Sequence, residues 1–157
     1  MQPVIAKHTR PLSASRIAGF TLIEALVALA VLSIGLLGVA GLQMAGLSAN
    51  YSAAARTQAS YLAYDILDRM RANRNDALAA PSLYKINLGA TPSGTGQAAL
   101  DLVAWKAAVK AALLQGDGAV DVTAGVATVT IQWNDAHGKD PAATADATLT
   151  FVTKTQL

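Results

Sequence analysis

The chain has 157 residues, 53% of them hydrophobic and 14% charged, and no cysteine. That is too apolar for a disordered chain and too short for more than one modest domain beside a membrane segment, and it excludes disulfide and thiolate chemistry. The formal charge of +2 is uneven, because Lys7, Arg10 and Arg16 precede Phe20 with no acid among them, leaving nine of the twelve cations to face all ten acids. The basic balance belongs to the N-terminal segment, and no nucleic-acid partner is expected for the rest.

Residues 1–19 are polar, basic and broken by Pro3 and Pro11. They bury no face and read as a leader to be removed. A general secretory signal is cut after its apolar region. Here the suggestive point, Gly19-Phe20, lies before it. Basic charge on this side orients the following helix with its N-terminus at the cytoplasm. Residues 20–47 form an apolar stretch long enough to cross a bilayer, which takes about 20 residues. Its one ionisable side chain is Glu24. A carboxylate in such a place is costly and marks a site that needs a partner.

Gly19-Phe20-Thr21-Leu22-Ile23-Glu24 resembles the prepilin cleavage and methylation motif of type IV pilins and pseudopilins. The resemblance implies that a prepilin peptidase cuts between Gly19 and Phe20 and N-methylates Phe20. Cleavage would create a cationic amine at Phe20, four residues from Glu24 and on the same helix face. An acid in the first turn also suits the positive end of the helix dipole. In a fibre, Glu24 would instead pair with the amine of a neighbouring subunit.

Gly35, Gly38 and Gly41 recur every three residues, each costing about 1 kcal/mol against Ala within a helix. Two readings stay open: close approach of neighbouring helices, or helix flexibility that permits local melting during assembly. No proline intervenes from Phe20 to Arg74, so one helix is expected to continue beyond the membrane. From Ser48 it turns amphipathic, with Leu62, Ala63, Ile66, Leu67 and Met70 at helical spacing and an Asp65–Arg69 pair on the other side. Arg69, Arg71 and Arg74 alternate with Asp65, Asp68 and Asp76, which cancels most of a nucleic-acid-attracting field. Residues 32–43 and 60–75 resemble the minor pilins of the type IV pilus modification protein PilV family.

Residues 76–96 read as a connecting loop, with Leu83, Tyr84, Ile86 and Leu88 available to pack on the helix. Asp101 is expected to cap a second helix, with Leu100 and Trp105 as its staple. That helix is expected to run to about Leu114, supplied with apolar surface by Val103, Ala107, Val109 and Leu113, and to end at Gly116-Asp117-Gly118. Three period-two runs follow: Val120 and Val122; Ala127 to Trp133 after a tight Ala124-Gly125 turn; and Ala147, Leu149 and Phe151 after a loop at 134–146. They predict an antiparallel sheet with its apolar face on the first helix and a Thr-rich solvent face.

The fold class expected is therefore α+β and type IV pilin-like: a long N-terminal α-helix, its first half transmembrane, packed on a small antiparallel head with one extra helix. The expected divisions are a leader at 1–19, a transmembrane and fibre-core helix at 20–47, its amphipathic continuation at 48–75 and a globular head at 76–157. No catalytic, metal or cofactor constellation is expected, so the chain reads as no enzyme. Asp135, His137 and Asp140 read as a polar turn or, failing that, a weak cation site. The resemblance implies a minor pilin that primes pilus assembly at the tip. It waits in inner-membrane lipid before joining other minor pilins, the major pilin and a tip adhesin in a fibre that serves twitching motility and adhesion. The alternatives are a minor pseudopilin of type II secretion, a ligand- or DNA-binding pilin, and an ordinary single-pass anchor.

Overall fold

The computed structural model describes residues 19–135 and 148–157. Six elements follow one another: α1 (Leu22–Ala72), α2 (Arg74–Ala77), α3 (Gln97–Ala112), β1 (Asp117–Thr123), β2 (Val126–Asn134) and β3 (Thr148–Gln156). The chain divides into two compact units, Met1–Ala40 and Gly41–Leu157. The long apolar helix, the small antiparallel sheet and the additional helix make an α+β, pilin-like fold.

In the first unit, α1 starts at Leu22 and leaves its large apolar side chains bare, from Leu22 through Val39. Glu24 and Ser33 are the polar residues of this stretch, and the Ser33 hydroxyl donates to Leu29 O at 2.7 Å, so it presents no unsatisfied donor to an apolar surrounding.

In the second unit, α1 changes character. Ala59, Leu62, Ala63, Ile66, Leu67 and Met70 are buried, the 3-and-4 spacing of one helix face. That face meets the inner side of a three-stranded sheet ordered β1-β2-β3, antiparallel throughout. Alternation puts Ala127, Val129, Ile131 and Trp133 of β2 into the core and turns Thr128 and Thr130 away from it. The register sets Val129 beside Val120 on one side, and Ile131 beside Phe151 on the other. The β1–β2 turn uses Ala124 (φ 53°) and Gly125 (φ 77°), the two left-handed residues that a tight hairpin matched to strand twist requires.

The second helix departs from the sequence expectation at both ends. It begins at Gln97, with Gly96 as cap residue in extended backbone accepting from Leu100 N at 3.1 Å, so Asp101 lies one turn inside the helix and caps nothing. Leu100 is exposed while Trp105 is fully buried, so the two form no staple. The inward face is Ala98, Asp101, Leu102, Trp105 and Val109; Val103 and Ala107 face solvent. Leu113 caps the other end, and Asp117 and Gly118 open β1 instead of closing the helix. Of the loop candidates, Tyr84 and Ile86 are buried, whereas Leu83 and Leu88 are exposed.

Trp105 explains why Gly118 belongs to a strand. The indole fills the core between α1 and β1, donates from Nε1 to Leu62 O at 2.8 Å, and leaves no room above it. A Cβ on Gly118 would lie 2.3 Å from Trp105 Cη2, inside van der Waals contact with a rigid ring. Gly118→Ala is expected to destabilise the head by about 1–3 kcal/mol. Urea unfolding of the full chain checks it, as a lower midpoint at unchanged slope.

Candidate functional site

Gly19 and Phe20 precede the first turn of α1, and both are exposed, Phe20 at 74%. Thr21 is the residue on which the helix starts. Its carbonyl accepts from Glu24 N at 3.1 Å and Ala25 N at 3.2 Å, and its hydroxyl accepts from Glu24 N at 3.3 Å. Thr21-Leu22-Ile23-Glu24 has the spacing of a capping box, a signal in the sequence that identifies Thr21 as the helix cap. Glu24 then falls in the first turn, exposed, with its charge at the favourable end of the helix dipole. The geometry places the exposed Gly19-Phe20 peptide, a capped helix start and a carboxylate within six consecutive residues.

Gly35, Gly38 and Gly41 all lie within the α-helical span of α1, and a Cβ at any of them would meet nothing within 4 Å. They are open notches in an apolar surface. By length and composition α1 is the one helix among the described residues suited to crossing a membrane, with a mean hydropathy of 2.5 in its most apolar stretch.

The arginines at the end of α1 and the start of α2 are committed to partners. Arg69 Nε meets Asp65 at 3.1 Å, Arg71 Nη1 meets Asp68 at 2.7 Å, and Arg74 Nη2 donates to Leu157 O at 2.7 Å. Such pairing removes most of the field a polyanion would follow. Asp135 is buried and accepts from Ser52 Oγ at 2.6 Å. His137 and Asp140, the other members of the weak cation site, lie outside the described residues. Among the described residues no group of three metal-ligating side chains occurs.

One polar cluster was not legible in the sequence. Asp101, 6% exposed, accepts from Tyr84 Oη at 2.5 Å and Gln97 Nε2 at 2.9 Å, with Arg69 Nη1 at 3.5 Å. Asn73 Nδ2 donates to Asp76 Oδ2 at 2.7 Å and more weakly to Tyr84 Oη at 3.4 Å. The cluster ties the end of α1, the Tyr84 segment and α3 together, a fastening role. A clue was available: Asp101 shares a helix face with Ala98, Leu102 and Trp105. Burial, followed by the hydrogen bond to Asp101, pushes the Tyr84 phenol up to about 12. Arg69 is held above its ordinary value, chiefly by its hydrogen bond to Asp65.

The family described as prokaryotic N-terminal methylation motif matches residues 14–40. The chain carries that methylation motif. The match spans the Gly19-Phe20 step, Thr21, Glu24, Gly35 and Gly38, and it supports a type IV pilin-like or pseudopilin subunit. No curated protein and no solved structure matches the chain.

Because the folded state raises the Tyr84 pKa above the ordinary 10.0, the neutral phenol is the form the fold prefers. Its contribution to stability is fully present below pH 10 and is lost as pH rises from about 10 toward 12. Tyr84→Phe is expected to cost about 1–3 kcal/mol at neutral pH, by leaving Asp101 short of a donor, and to remove that alkaline dependence. Urea midpoints of both proteins at pH 7 and between pH 10 and 12 check both parts.

Proposed function

We propose that the protein is a minor pilin of the type IV pilus, a structural subunit that helps to prime assembly and sits in the tip complex. The observation that carries this reading is the capped, bare apolar stretch of α1, which follows Phe20 directly and holds Glu24 in its first turn, within a methylation motif. In this account prepilin peptidase removes residues 1–19 and methylates Phe20. Residues 20–47 then hold the subunit in the inner membrane with the N-terminus cytoplasmic, while residues 48–75 and 76–157 form the stalk and head outside. The sequence likeness to the PilV family in residues 32–43 and 60–75 supports the minor-pilin assignment over a major one.

Assembly is a change of solvent for α1. Apolar side chains pass from lipid to neighbouring helices, and Glu24 meets the methylated amine of a neighbour's Phe20. Removing one partner of such a desolvated pair costs about 3–5 kcal/mol. Gly35, Gly38 and Gly41 serve this transfer by close helix approach or by local melting, since no side chain at these positions resists either. Other minor pilins, the major pilin and a tip adhesin are the partners, and the paired arginines of α1 disfavour a nucleic-acid ligand.

The motif is shared with minor pseudopilins of type II secretion, so cells must separate the two. Deleting the protein is expected to reduce surface pili and twitching and to leave protein secretion intact. Lost secretion with normal pili contradicts the pilus assignment. Glu24→Gln is expected to leave the chain processed and in the membrane but absent from sheared pili. Normal incorporation of that variant contradicts the pairing role.

A further inference from the structure

The two edges of the sheet are finished differently. The outer edge of β1 is taken by Ile86, which exchanges two backbone hydrogen bonds with Val120, both 2.8 Å. Lys85–Asp121 at 2.7 Å and Lys106–Asp117 at 2.9 Å add ion pairs along the same strand. The outer edge of β3 has fewer such ties, although Arg71 Nη2 donates to Thr155 Oγ1 near the end of the strand at 3.2 Å. Among the described residues no strand pairs on it. Its nine residues keep register with β2 without a bulge, and it contains no proline and one charge, Lys154. Edges this long are ordinarily blunted by charge, proline, a bulge or a covering element.

A cleft of about 470 Å³ lies between the start of this strand and α1, lined by Arg56, Thr57, Ser60, Leu149, Phe151 and Trp133 among others. Leu149 and Phe151 are only partly covered by the core. One donor at the cleft lacks a partner among the described residues. Arg56 is exposed and enters none of the ion pairs that hold Arg69 and Arg71. Among the described residues no acid lines the cleft. It offers apolar surface and the positive charge of Arg56 beside a strand edge on which no described strand pairs.

We propose that β3 and this cleft are the docking site for an extended, acid-bearing segment of a partner polypeptide, which adds to the sheet as a fourth strand. Main-chain pairing with β3 supplies the contact along its length, and alternate side chains of the segment reach Leu149 and Phe151. A carboxylate on the segment takes Arg56. The inference rests on the sheet and α1 of the second unit alone, so it stands or falls independently of the methylation motif.

The test uses the full chain in detergent micelles and a panel of fluorescein-labelled nonapeptides. These alternate Thr with Val and carry one Glu, moved through the Val positions; each has a Glu→Gln counterpart and one with a central proline. At least one Glu peptide is expected to bind saturably and to slow hydrogen exchange at alternate amides of residues 148–156. Arg56→Gln is expected to weaken the Glu peptide about fivefold and to leave its Gln counterpart unchanged. The proline peptide is expected not to bind. Three results would each overturn the proposal: unchanged exchange across residues 148–156 at the highest peptide concentration, equal binding of the proline peptide, or equal loss of both peptides in Arg56→Gln. Protection of residues 148–156 that grows with protein concentration in the absence of peptide would assign the edge to a second copy, and overturns it as well.

Discussion

The molecule is governed by a helix surface that water cannot satisfy. From Leu22 to Val39, α1 exposes Leu, Ile and Val on every side, and its backbone polar groups are consumed within the helix. A single helix is one of the few structures that lipid tolerates for that reason. Ser33 keeps the rule by bonding to Leu29 O. Glu24 breaks it, which is why the proposed function turns on it. A carboxylate at the start of an apolar helix is tolerable at a membrane boundary but must find a cation once the helix is surrounded by other helices.

The second stretch of α1 solves the same problem by folding. Its apolar face is covered by β2, by Trp105 of α3 and by Tyr84 and Ile86 of the connecting segment, and the result is one continuous core. Without cysteines, the fastening is done by packing and by the Tyr84–Asp101–Arg69 cluster. The β1 edge of the sheet is taken by Ile86, while among the described residues no strand pairs on the outer edge of β3. On the proposed function, a subunit that associates has a use for both the bare helix and that edge.

Much of this was legible because the deciding residues are local. Period-two alternation in Val126–Asn134 and the 3-and-4 spacing of Leu62, Ile66 and Met70 report burial directly. The Ala124-Gly125 turn follows from the need for positive φ. The α3 boundaries were missed because Asp101 has the chemistry of a cap and the placement of a core residue, and only the contact with Tyr84, seventeen positions earlier in the chain, settles between them. Gly118 resembles a helix terminator until Trp105 is seen above it. At the N-terminus, the Thr21-x-x-Glu24 box is a spacing signal that the sequence expectation does not use. Neither Phe20 nor Glu24 has, in one chain, the neighbour that the fibre account gives them, so their roles follow from motif and chemistry.

The central claim is that the helix begins its working life at Phe20, with a charged methylated amine four residues from Glu24. Intact-mass and peptide mass spectrometry of the membrane-bound protein from its own cells measures that directly. The account predicts a chain that starts at Phe20 and carries one N-terminal methyl group. A chain that retains residues 1–19, or starts at any other residue, would contradict it.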